Sequence, residues 1–128
     1  MRSLYALGLV LAGITYNVTA APLATLASGP AYGGPTQAVA VCYVYNSGVG
    51  NLTINEIKIV KEPDGVALPV VSNNCGTGFG PGGICRTVSN VGANVVACKA
   101  TLAPKAVARG SMEIRNSTNV ILNSRDLR

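Results

Sequence analysis

Four cysteines, Cys42, Cys75, Cys85 and Cys98, carry the reactive sulfur of this chain, and their spacing decides between crosslink and metal ligand. Thiolate zinc sites set cysteines in close pairs, two to four residues apart. Here successive cysteines lie 33, 10 and 13 positions apart and the chain holds no histidine. An even, widely spaced set in an exported chain reads as two structural disulfides. Of the three pairings four cysteines allow, the preferred one joins Cys75 to Cys85 around the turn-rich 76–84 segment. It then joins Cys42 to Cys98 between two apolar strands. No metal site is expected.

Export is read from residues 1–20. Arg2, the apolar run from Leu4 to Ile14 and the small-x-small exit Val18-Thr19-Ala20 before Ala21-Pro22 form the pattern of a cleaved secretory signal. That run has 11 residues, against the roughly 20 that cross a bilayer as a helix. No later stretch competes with it, so no membrane span is expected. The mature protein is expected in the periplasm or outside the cell. Cleavage after Ala20 leaves 108 of the 128 residues, enough for one domain. Without Arg2, nine cations stand against five anions, a net charge of +4. Those cations are scattered from Lys58 to Arg128 with no run of three, and few aromatics accompany them. Nucleic-acid surfaces cluster basic residues around stacking platforms, so that class of partner is excluded.

Catalytic parts are scarce. The missing histidine removes the commonest general base and the triads built on it. The carboxylates are Glu56, Glu62, Asp64, Glu113 and Asp126. A glycosidase pair needs two of them converging about 5–9.5 Å apart, whereas Glu62 and Asp64 flank a turn proline and read as solvated. No S-x-x-K occurs. Residues 78–83, Gly-Phe-Gly-Pro-Gly-Gly, match G-x-G-x-x-G literally. A dinucleotide site needs a helix after those glycines, but Pro81 interrupts them and Ile84 to Val88 reads as a strand. Cofactors are therefore not expected, and the chain is read as a non-enzyme.

The elements that must position these residues are short strands. Turn markers such as Asn46-Ser47-Gly48, Pro63-Asp64-Gly65 and Asn73-Asn74 punctuate the chain every ten residues or so. Between them lie β-rich pieces: Ala38 to Tyr45, Leu52 to Val60, Val66 to Val71, Ile84 to Val88, Val95 to Leu102, Ser111 to Arg115 and Val120 to Asn123. About seven such strands predict an all-β, immunoglobulin-like antiparallel β-sandwich with two disulfides over residues 38–128. Residues 21–37, rich in Ala, Gly and Pro, read as a leader or a loosely held first strand outside the core. The alternation Leu52, Ile54 then Ile57, Ile59 slips phase near Asn55-Glu56, which a β-bulge explains. The one helix candidate, Pro104 to Arg109, allows one or two turns. In Ala38 to Tyr45 both faces are apolar. Ala40, Cys42 and Val44 form the inward row; Val39, Val41, Tyr43 and Tyr45 form a second row, either covered by chain or left as an interaction surface.

The stretch Asn73-Asn74-Cys75-Gly76 with Pro81-Gly82-Gly83-Ile84-Cys85 resembles the N-x-C … P-G-x-x-C hairpin of bacterial choice-of-anchor modules, relatives of the abnormal-spindle/hydin type. Tyr45-Asn46-Ser47-Gly48 with Leu52-Thr53-Ile54 looks like their opening, and Arg109 to Ile114 like their closing strand. The whole is also similar to small, uncharacterised secreted bacterial proteins. The resemblance spans roughly residues 38–123 and implies an immunoglobulin-like fold and extracytoplasmic placement, with no catalytic residues. Cys42 and Cys98 are additional to the pattern.

These readings converge on an exported, non-catalytic binding or structural module acting on a protein or cell-surface partner. Phe79 on its glycine loop, and Tyr43 with Tyr45, are the candidate partner contacts. One alternative is a pilus- or fimbria-like subunit completed by strand donation. A second is a small secreted hydrolase.

Overall fold

Valine, isoleucine, threonine and tyrosine stiffen the backbone into extended runs, and Gly, Asn and Pro end them. The computed structural model describes residues 13, 14 and 20–128, so most of the expected export signal lies outside the described residues. Among those residues the runs form ten strands: β1 (Ala24–Ala27), β2 (Gln37–Asn46), β3 (Leu52–Lys61), β4 (Val66–Ala67), β5 (Val70–Asn73), β6 (Gly78–Phe79), β7 (Ile84–Asn90), β8 (Val96–Ala103), β9 (Ala108–Asn116) and β10 (Ile121–Leu127). All pairings are antiparallel. One sheet runs β1-β8-β3-β4, with β6 also on β3, and the other runs β10-β9-β2-β7-β5. The result is an all-β sandwich, as the strand spacing predicts.

Inward rows of both sheets meet in one core. Leu52, Ile59 and Leu102 from the first sheet and Val44, Met112 and Ile114 from the second are fully buried. The expected bulge in β3 is present, since the register against β8 shifts between Ile54 and Glu56. It lets Ile54 and Ile57 both face inward despite the odd spacing.

Both bridges form in the preferred pairing. Cys42 on β2 joins Cys98 on β8, Cα to Cα 5.9 Å, and so ties one sheet to the other through the core. Cys75 joins Cys85 at 4.8 Å and closes the loop between β5 and β7. Two disulfides fit an oxidising, exported location. Among the described residues no helix is long and apolar enough to cross a membrane.

The N-terminal stretch departs from expectation. Its β1 pairs along β8, and Leu26 and Ala31 belong to the core, so the sandwich begins at Ala24. Gln37 pins this stretch: its side chain accepts from the Gly33 amide and donates to the Gly92 and Asn94 carbonyls. The expected strand Val66 to Val71 is split, because Pro69 has no N–H to give and the chain crosses there from one sheet to the other. The helix candidate Pro104 to Arg109 reduces to a single 3-10 turn, Lys105–Val107, before β9 starts.

Candidate functional site

Strand β2 lies in the middle of its sheet, so its second row is flanked on both sides by neighbours in fixed register. Tyr45 sits opposite Ile84 on β7 and Arg109 on β9; Tyr43 sits opposite Arg86 and Ser111. Directly opposed residues share a face. The six side chains therefore form two adjoining rows on the solvent side, around a hollow of ≈ 200 Å³ lined by Tyr43, Tyr45, Ile84, Arg109 and Ser111.

The two rows differ in what holds them. Tyr43 is half-buried and its hydroxyl accepts a 3.2 Å hydrogen bond from Arg115. Arg115 also pairs with Glu113 and donates to Asn119 Oδ1 at 2.7 Å. That asparagine is presented by the β9–β10 turn, where Asn116 Oδ1 accepts from the Thr118 and Val120 amides. Arg115 starts opposite Val39 and reaches Tyr43, so its side chain passes over Val41, which is only 5% exposed. Glu113 pushes the Arg115 guanidinium above its ordinary pKa, against the opposing pull of burial. The second row of β2 is thus covered over part of its length by its own sheet's side chains.

Further along, the cover ends. Tyr45 is 41% exposed and Ile84 62%. Arg109 beside them is held to its own backbone, its Nη1 donating to the Ala106 and Ala108 carbonyls at 2.9 and 2.8 Å. An aromatic ring, an exposed aliphatic side chain and a braced guanidinium stand together, the side-chain types that anchor protein interfaces. Ile84 and Arg109 escape a reading of the sequence because β7 and β9 come beside β2 only through the tertiary register. The alternation of β9 is the one local sign that Arg109 shares a face with Glu113 and Arg115.

Phe79 has a different fate from the tyrosines. It is half-buried on β6 and packs against the core. Its ring lies over Gly83, where an added Cβ would come within 2.6 Å of it. Gly78, at φ +142°, lets β6 press against β3, where a Cβ would collide with the Leu52 carbonyl oxygen. The glycines of 78–83 thus serve this close packing, and strand β7 follows them where a phosphate site would need a helix. The loop is also tied to β2 by Asn46, a buried residue legible in sequence only as a turn marker. Its side chain donates to the Gly50 and Phe79 carbonyls and accepts from the Gly48 amide.

The carboxylates are spread over the surface. Glu56 pairs with Lys58, Asp64 with Lys61 and Glu113 with Arg115. No cluster of three metal-ligating side chains occurs among the described residues. A larger hollow of ≈ 450 Å³ lies where β1 meets the end of β10, lined by Ser124, Arg125, Asp126 and Arg128. All four are exposed, so no buried polar group points into it.

No protein-family model matches the chain, and no curated protein or solved structure matches it either.

Proposed function

We propose that the protein is an exported, non-catalytic binding module whose working surface is the outer face of the β10-β9-β2-β7-β5 sheet, centred on Tyr45 and Ile84. The observation that carries this reading is the exposure of those two side chains side by side on rigid central strands, next to a braced Arg109. Leaving such a patch in water costs stability that a solvent face has no reason to forgo. Rigid strands hold the contacts in place, so little ordering entropy is lost when a partner docks. The motif resemblance to choice-of-anchor modules agrees with a non-catalytic task outside the cytoplasm.

The test compares what immobilised protein retains from the host's extracytoplasmic fraction with what a Tyr45→Ala, Ile84→Ser variant retains. A component held by the native protein and lost by a variant of unchanged melting temperature supports the reading. An identical set of retained components on both contradicts it.

A further inference from the structure

The residues just outside the Cys75–Cys85 bridge, Asn74 and Arg86, are locked to each other. The Asn74 amide donates to the Arg86 carbonyl at 3.1 Å, and the Arg86 amide donates to Asn74 Oδ1 at 2.7 Å. Next to them, Asn73 Oδ1 accepts from the Cys75 amide at 2.8 Å. Both asparagines thus commit their acceptor oxygens to backbone amides, and each keeps its Nδ2 group as a donor. With Ser72 and the Arg86 side chain they line a hollow of ≈ 140 Å³ where β5 ends beside β7. No acidic side chain lines it, and residues 66–85 hold no charged side chain at all. Among the described residues the ion-paired carboxylates go to Lys58, Lys61 and Arg115, and none goes to Arg86. The larger hollow beside β10 differs, because it sets Asp126 among two arginines.

We propose that this hollow is a carboxylate site, and that the partner of the tyrosine face is a protein segment carrying a glutamate or aspartate beside an apolar side chain. The site presupposes that the tyrosine face is the working surface, and adds the chemistry of what docks there. One guanidinium and two amide donors match an ionised carboxylate, which only accepts. A lysine would be repelled by Arg86, in a chain that carries +5. Arg86 also belongs to the tyrosine face: it lies opposite Tyr43 and two residues from Ile84 on the same side of β7, about 7 Å along the strand. The ≈ 200 Å³ hollow among Tyr43, Tyr45 and Ile84 receives the apolar side chain while Arg86 receives the carboxylate. A free anion has no group for the apolar hollow, which selects a polypeptide as the occupant. An extended segment presents both side chains on one face when they stand two positions apart.

Titration of the isotope-labelled, disulfide-intact protein with a synthetic peptide holding leucine and glutamate two positions apart, followed by NMR, tests this. Amide shifts are expected at residues 72–74 and 84–86. Glutamine in place of the peptide's glutamate is expected to weaken binding about fivefold or more, because a charge-assisted bond to a guanidinium exceeds a neutral one; lysine there weakens it further. Arg86 is exposed, so Arg86→Gln is expected to level the glutamate and glutamine peptides at unchanged melting temperature, while Arg86→Lys keeps their order. Tyr45→Ala with Ile84→Ser is expected to weaken both peptides alike. Three peptides that bind the native protein equally, and all lose affinity in the Tyr45→Ala, Ile84→Ser variant, overturn the carboxylate site and leave the working face standing. A glutamate preference that survives Arg86→Gln, or the absence of shifts with any peptide at millimolar concentration, also overturns it.

Discussion

The two outer faces of the sandwich share one core and yet differ in kind. On the β1-β8-β3 side, Thr25, Thr101 and Glu56 form one cross-strand row, and Ala27, Lys99 and Lys58 the next. The Thr25 and Thr101 hydroxyls lie 3.5 Å apart, and Glu56 reaches Lys58 at 2.5 Å. Water reaches the threonine, glutamate and lysine side chains of these two rows, while Val60 and Ala97 in the row beyond them are buried. On the other side the rows around β2 read Ile84, Tyr45, Arg109 and then Arg86, Tyr43, Ser111. The buried rows of both sheets serve the same core, so stability does not account for the difference. The first face presents threonine, glutamate and lysine to water; the second, with Tyr45 and Ile84 exposed, is the one we propose as the contact surface.

The largest effect is expected from removing the strut that holds the faces back to back. Cys42→Ala with Cys98→Ala opens a loop of 56 positions and should cost about 4 kcal/mol by loop-closure entropy. The 10-position Cys75–Cys85 bridge should cost about 2.7 kcal/mol. Urea unfolding of the two double variants measures both, and an equal or reversed order would break the assignment of the deep bridge as the main clamp.

Next comes the contrast itself. Tyr45→Ala with Ile84→Ser should lower partner retention about tenfold or more, as truncating interface anchors does. Lys99→Ala with Thr101→Ala on the opposite face should leave retention unchanged and move stability by less than about 0.5 kcal/mol. Equal losses from both pairs would erase the distinction between the faces.

The smallest effect sharpens the boundary of the site. Glu113→Gln removes the carboxylate that holds Arg115 over Val41 and under the Tyr43 hydroxyl. The pair is partly exposed, so about 1 kcal/mol is expected. The folded-state pKa of Arg115 is raised, so its contribution is fully present below the unfolded pKa and fades only as pH climbs through strong alkali. Urea midpoints of the native protein between pH 6 and 9 should therefore show no loss traceable to Arg115.

Much of the architecture is legible before any coordinates. The phase slip at Asn55-Glu56 marks the β3 bulge, because four inward residues cannot keep period two across an odd gap. The cysteine spacing marks crosslinks, since metal sites need close pairs. Leu26 and Ala31 are harder to place: four residues amid Gly, Pro and Ala form a strand only because β8 offers an edge to pair with. Pro69 marks a break, but which sheet each half joins depends on distant strands. Tyr43 and Tyr45 stand out locally, while Ile84 and Arg109 join them through a register that no local pattern encodes. Phe79 stands out equally on its glycine loop, and the same glycines that draw attention to it let it fold against the core.

The central claim, that the tyrosine face is the working surface, is tested most directly by mapping amide hydrogen exchange of the disulfide-intact protein with and without a retained partner. Slowed exchange confined to segments 43–45, 84–86 and 109–111, with segments 56–58 and 99–101 unaltered, is the predicted result. Slowing at 56–58 and 99–101, with the tyrosine strands unaltered, would contradict it.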